Sequence, residues 1–212
     1  MGIAERKERE KLQRKNEIIE AAEKVFFSRG IEKATMDEVA EEAELSKGTL
    51  YLYFKSKEDL HMSVALKAIS LLGELTRGIR ELKETAIDKL VSMGRACISF
   101  AESHPDHMRA IITLEGFELH HISYSVSEMQ EMIYRDSPVG MVIEIVRQGV
   151  QEGSIRSDIP AELIGHTLWM QLISVIHFVA RKRVLFDMLD LTPGEVFESH
   201  FNLVLNGIRN EE

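Results

Sequence analysis

Residues 35–60, TMDEVAEEAELSKGTLYLYFKSKEDL, constrain the fold more than any other stretch, because three helix starts crowd into it. Thr35 is followed three residues on by Glu38 and Ser56 by Asp59, the pattern of a hydroxyl cap with an acid in the first turn; Ser46 offers a third cap. A chain punctuated this closely folds as helix, tight turn, helix, turn, helix. Segment 46–57, SKGTLYLYFKSK, carries Lys47, Lys55 and Lys57 and no acid. Gly48 within it allows backbone to come close to something. Such a surface suits DNA.

Apolar spacing supplies the core beneath that surface. A first helix over about 14–29 sets Ile18, Ala22, Val25 and Phe26 on one face and stops at Gly30. A second, from Met36 to about Ala43, presents Met36, Val39, Ala40 and Ala43; a third adds Leu50 and Phe54, and a fourth Leu60 and Val64. In a helix-turn-helix unit the start of the second helix meets base edges while its neighbours hold phosphates. Ser46, Lys47, Gly48 and Thr49 take the groove side. Lys47 is suited to guanine O6 and N7, and the Thr49 methyl to a thymine methyl. Thr35, Met36, Tyr51, Tyr53, Lys55 and Lys57 complete the DNA-binding set, with hydroxyls, ammoniums and helix-start amides offered to phosphates.

The run AAEKVFFSRGIEKATMDEVAEEAELSKGTLYLYFKSKEDL, from Ala21 to Leu60, resembles the TetR/AcrR family of bacterial transcriptional regulators. F-x-x-R-G-I, the hydrophobic-A-x-x-A pair and S-K-G-T-L-Y-x-Y-F-x-S-K-E-x-L match in register, over about a fifth of the chain. Further on, only a loose H-P-x-x-x-R element (His104, Pro105, Arg109) is similar. The resemblance implies an all-α protein: a three-helix DNA-binding domain over 1–58 and a larger helical effector-binding and dimerisation domain over 59–212. It implies a homodimer on a palindromic operator, most often a repressor, released by a small, largely apolar effector. No cofactor is implied. Glu44 stands where the family usually has Gly, so a left-handed turn there costs about 1 kcal/mol or the turn differs. Glu41 and Glu42 add negative charge beside the groove.

A net charge of -9 looks wrong for a DNA binder until it is located. Residues 1–15 hold six bases and three acids, residues 16–45 three bases and nine acids, and residues 46–57 three bases and no acid. Screening keeps only the local field relevant to phosphates. The charged start RKEREKLQRK reads as a solvated extension of the first helix, with a minor-groove arm as the alternative. Four prolines and no sustained alternation of β-branched residues favour an all-α chain. A single cysteine, Cys97, allows neither an internal disulfide nor a C-x-x-C site, which fits a reducing cytoplasm. MGIAERKERE lacks an apolar signal core, and the apolar stretch 168–179, which contains Gln171 and His177, is too short to span a bilayer.

Downstream, helical spacing predicts elements over 57–82, 85–103, 105–122, 125–135, 138–152, 160–183 and 193–209. Gly73 and Gly78 mark a bend or a close crossing in the first of these. The last two are the dimerisation candidates, through Leu168, Trp169, Leu172 and Ile176 and through Phe197, Phe201, Val204 and Ile208; the alternative buries both within one protomer. Met93, Phe100, Met108, Phe117, Met129, Met132, Tyr134 and Met141 are the candidate effector-pocket residues, Met being adaptable to apolar ligands.

Enzyme chemistry finds little support. No nucleotide-binding glycine pattern, zinc-protease helix or nucleophile elbow occurs. Glu58 with His61 and Glu118 with His121 have the spacing of di-iron bundles, but the further inward glutamates are missing. His104, His107, His166 and His177 read as loop, core or interface residues. The remaining alternative keeps the DNA-binding head and gives the C-terminal domain a protein partner in place of a small molecule.

Overall fold

A computed structural model describes residues 2–114, 134 and 137–210. The elements are α1 (Ile3–Arg29), α2 (Met36–Glu42), α3 (Lys47–Tyr53), α4 (Lys57–Thr76), α5 (Ala86–Ser103), α6 (Pro105–Leu114), α7 (Pro138–Glu152), α8 (Ala161–Arg181), α9 (Arg183–Met188) and α10 (Pro193–Ile208). A 3-10 turn over Arg77–Glu81 follows α4. No strand occurs among the described residues, and the fold is all-α.

Two apolar cores share α4. The smaller joins Ile18, Ala22, Val25 and Phe26 of α1 to Met36, Val39 and Ala40 of α2, to Leu50 and Phe54, and to Leu60, Val64 and Ala65 of α4. The larger begins at Ala68 and gathers α5, α6, α7, α8 and α10 around Leu72, Met93, Phe100, Ile145 and Ile173. α6 touches both, since Ala110 belongs to the smaller core and Met108 and Ile111 to the larger. One helix thus connects the two cores, with α6 alongside it.

The elements depart from the sequence expectations at three points. α1 starts eleven residues before Arg14, because Ala, Glu, Arg, Lys, Leu and Gln all favour helix and Arg6 pairs with Glu10 one turn on at 2.7 Å. α4 ends at Thr76 rather than Leu82. The buried Thr76 hydroxyl donates to the Leu72 carbonyl at 2.9 Å, and the chain tightens into the 3-10 turn that contains Gly78. The expected helix over 160–183 is α8, and a short helix, α9, follows it where the sequence predicted none. The expected helix over 125–135 lies outside the described residues apart from Tyr134.

α7 and α8 form the most extensive helix pair, and glycine makes their approach possible. A Cβ on Gly165 would stand 3.0 Å from the Ile143 Cα, where backbone cannot yield. A Cβ on Gly94 of α5 would collide with the Phe201 ring, which reaches that helix from α10. The C-terminal end is pinned to the α7–α8 turn, where Arg156 N donates to Ile208 O at 2.9 Å and Asn210 N to Ser154 O at 3.2 Å. At 21 residues and a mean hydropathy of 1.5, α8 as folded is long and apolar enough to cross a bilayer, which the twelve-residue stretch counted from sequence did not show. Its inner side instead packs Ile164, Ile173 and Ile176 into the protomer. Leu163, Met170 and Phe178 face outward.

Candidate DNA-binding interface and effector cleft

Thr35 opens α2 with a reciprocal cap: its hydroxyl accepts from Glu38 N at 3.2 Å, and its own amide donates to the Glu38 carboxylate at 2.9 Å. Those bonds from the Thr35 backbone and hydroxyl hold the Glu38 carboxyl below its usual range. α2 ends where Leu45 N donates to Ala40 O at 2.8 Å and Glu44 N to Glu41 O at 3.0 Å, the two bonds of a Schellman turn. That turn needs a left-handed residue, and Glu44 supplies it with φ 54°. The family-typical turn geometry is therefore kept without the glycine. Ser46 then caps α3, accepting from Thr49 N at 3.1 Å and sharing a 2.8 Å hydrogen bond with the Thr49 hydroxyl.

α3 turns Leu50 and Phe54 inward, leaving Lys47, Gly48, Tyr51 and Leu52 exposed and Thr49 and Tyr53 half-buried. A Cβ on Gly48 would meet only the Ser46 hydroxyl, at 3.9 Å, so the fold itself does not require glycine there. The smallest residue type sits where the approaching surface is external. Lys47 lies 2.7 Å from the Asp37 carboxylate, which raises its pKa through a hydrogen bond and charge attraction. An incoming phosphate or base edge has to compete with Asp37. Lys55 donates to the Tyr51 carbonyl at 3.2 Å and stays exposed.

Two members of the expected DNA set are placed differently. The Met36 side chain is 8% exposed and belongs to the small core, so only its backbone amide in the first turn of α2 can serve an anion. Lys57 donates to the Glu32 and Ala34 carbonyls at 3.2 and 3.1 Å, clamping the α1–α2 turn to α4. The carbonyls of that turn, unpaired within a helix, draw the ammonium in. Leu52, 75% exposed on the outer face of α3, was missed from sequence because leucine reads as core. Its offset of two residues from Leu50 was the available signal.

The expected effector residues separate in the same way. Met93, Phe100 and Met141 are fully packed core, Phe117, Met129 and Met132 lie outside the described residues, and Tyr134 is exposed, its hydroxyl 2.7 Å from His166 Nε2. Among the described members of this set, Met108 alone lines a cleft of about 820 Å³ between α6 and α8. Ala101, Ile112, Ile176 and Ala180 make its apolar walls, with Arg109, His177 and Arg181 among its polar lining and Ile31 and Glu32 of the α1–α2 turn on one side. An adjoining recess of about 270 Å³ reaches Phe26 and His61. His61 is buried, and desolvation pushes it down to about 4; its Nε2 lies 3.1 Å from the Thr113 hydroxyl, linking α4 to α6. Buried against Phe26 and Thr113, His61 is a packing residue, while Glu118 and His121 lie outside the described residues. Cys97 is wholly buried, which pushes its thiol up to about 12 and leaves it unreactive at neutral pH.

The expected dimer residues also divide. Leu172, Ile176 and Phe197 are inside the protomer core, Leu168, Trp169, Phe201 and Ile208 are half-buried against it, and Val204 is half-buried. The apolar side chains left over are Leu163, Met170 and Phe178 on α8 and Leu203 on α10, from 47% to 74% exposed. The outward stripe is rotated from the expected one because α7 and α5 claim the inner face.

A capped short helix, a Schellman turn and a second short helix with an exposed basic start define a helix-turn-helix DNA-binding protein. The sequence profile described as bacterial regulatory proteins, tetR family, matches residues 18–63. An HTH-type transcriptional regulator of Bacillus subtilis, YhgD, is 30% identical over 146 residues, 68% of this chain and 73% of that protein. The fatty acid metabolism regulator protein of Bacillus subtilis is 24% identical over 92% of this chain and 95% of its own length. Among solved structures, the transcriptional regulator FadR from Bacillus subtilis in complex with stearoyl-CoA superposes with a TM-score of 0.63 at 21% identity, covering 91% of this chain and 98% of that one. The chain belongs to the TetR family of transcriptional regulators.

Proposed function

We propose that this regulator is a repressor that binds a palindromic operator as a homodimer in the cytoplasm and is released by a small, largely apolar effector. The observation that carries it is the start of α3, where Lys47 and Gly48 are exposed and Thr49 is half-buried beside them, on a scaffold in which α2 and α3 are both capped. Ser46 and these three residues contact the groove, and Thr35, the Met36 amide, Tyr51, Tyr53 and Lys55 the phosphates. The two α3 helices of a dimer then meet successive major grooves about 34–36 Å apart. The outward stripes of α8 and α10 supply the dimer contact.

The α6–α8 cleft is the effector site in this proposal. Its apolar walls and arginine-bearing rim suit a ligand with a hydrocarbon body and an anionic end, the chemistry of the stearoyl-CoA bound to the related FadR. A ligand there lies against α6, which contacts α4, and against the α1–α2 turn of the DNA-binding head. It acts only by its differential affinity for the DNA-competent and released arrangements.

Selection of genomic fragments by the purified protein, followed by mobility shifts with Lys47→Ala, tests operator binding. Recovery of palindromic sites weakened by that substitution supports it, and indifference to every duplex sinks it. A thermal-shift series with acyl-CoA esters of increasing chain length tests the cleft, because a ligand at 100 times its Kd adds about 2.7 kcal/mol of stability. No response at any chain length would favour a protein partner for the C-terminal domain.

A further inference from the structure

α1 is built in two unlike halves. From Ile18 onward it carries core residues, whereas residues 4–14 are all exposed. At 1.5 Å per residue, roughly 16 Å of helix stands clear of the body. Lys15 shows where this rod departs: its ammonium lies 5.6 Å from the centroid of Phe54, the residue that closes α3. The rod therefore leaves the domain at the end of the recognition helix, next to the residues that follow it, Lys55 among them.

Its charges are sorted by face. Arg6 pairs with Glu10 and Arg14 with Glu17, both at 2.7 Å, and Glu5 accepts from the Gly2 amide at 2.8 Å. Lys7, Lys11 and Lys15 have no carboxylate partner among the described residues, and Glu8 flanks them without pairing. Spaced four apart, they form one stripe that drifts about 40° per step and runs on the side of the helix that carries Ile18 and Ala22. Like charges four apart on a helix repel one another. Stability of the free protein gains nothing from such a row on the side where the body has ended.

An anionic surface alongside would reward it. Duplex DNA carries one negative charge per about 1.7 Å of axis, so a stripe rising about 12 Å from Lys7 to Lys15 faces several phosphates. We propose that the projecting half of α1 is a second DNA-contact element, with Lys7, Lys11 and Lys15 lying along the sugar–phosphate backbone beside the site read by α3. The arm rests on the operator binding proposed above and deepens it. Ammonium groups on phosphates carry register and salt dependence, not base choice. The occupant is DNA because the stripe continues the basic edge of α3 through Lys55.

The test uses the full-length protein and duplexes recovered by selection from a random-sequence pool, each with long flanks, beside a mixed-sequence duplex. Binding is measured against salt for the wild type, for Lys7→Gln with Lys11→Gln, and for Arg9→Gln on another side of the rod. Lys15 is left intact because it rests on Phe54. The double variant should lose roughly 0.9 from the log–log salt slope for each phosphate contact removed. It should weaken on both duplexes by the same factor, while Arg9→Gln follows the wild type. A wild type that prefers its selected duplex, together with a double variant of unchanged salt slope, overturns the arm alone. Recovery of no duplex at all overturns operator binding and the arm with it.

Discussion

Glu44 stores conformational energy that a single substitution can release. Its φ of 54° places a residue with a Cβ in the left-handed region, at a cost of about 1 kcal/mol or somewhat more. The side chain is exposed and makes no ion pair among the described residues, so nothing visible offsets that cost. Glu44→Gly removes the strain, though about 0.4–1 kcal/mol is returned through the greater freedom of the unfolded chain. Glu44→Ala deletes the same charge and keeps the strain. Comparing the two variants cancels the electrostatics. The glycine variant should be the more stable by roughly 0.5 kcal/mol, a rise in Tm of about 1–2 °C for a chain of this size. Thermal melts of both at one protein concentration provide the measurement, since self-association makes Tm concentration-dependent. Both should bind DNA somewhat more tightly than the wild type at low salt, and to the same extent, because each removes one negative charge beside α3. Equal melting temperatures for the two variants would refute the strained turn.

Three further outcomes are expected. Asp37→Asn frees the Lys47 ammonium from its 2.7 Å partner and should tighten operator binding several-fold at low salt, whereas the double variant with Lys47→Ala loses that gain; titrations of labelled duplex check both. His61 titrates near 4 when folded against an ordinary value of 6.5, so the unfolded chain holds the extra proton between those values. Its contribution, up to about 3 kcal/mol, is complete above pH 6.5 and lost as pH falls toward 4; melts from pH 4 to 7 should show a shallower acid decline for His61→Gln than for the wild type. Leu203→Glu with Met170→Lys places charge on the outward stripe without touching the core, and light scattering at micromolar concentration should then report monomers with unchanged far-ultraviolet dichroism.

The DNA-binding head was legible because its signals are local. Thr35, Ser46 and Ser56 each cap the helix their position announced. The core faces of α1 to α4 follow from spacing alone, since short helices around one small core leave each apolar residue a single place to go. The burial of Met36 and the carbonyl clamp on Lys57 escaped the sequence because both depend on how α1, α2 and α4 meet, which no local pattern encodes.

The larger domain shows the opposite balance. Amphipathic spacing was enough to announce helices over 85–103, 138–152 and 193–209, but α8 is apolar on several sides and so carries no unique inner face. Packing against α7 through Gly165 chose that face, leaving Leu163, Met170 and Phe178 outward in place of Leu172 and Ile176. The same packing put Met93, Phe100 and Met141 into solid core and opened a cleft at Met108. Sequence by itself determined the helical class, the caps and the core faces of α1 to α4, because hydrogen-bonding and periodicity act within a few residues. Tertiary structure alone decided the cleft and the outward stripe, because which side of an apolar helix stays free depends on the volume and position of its neighbours.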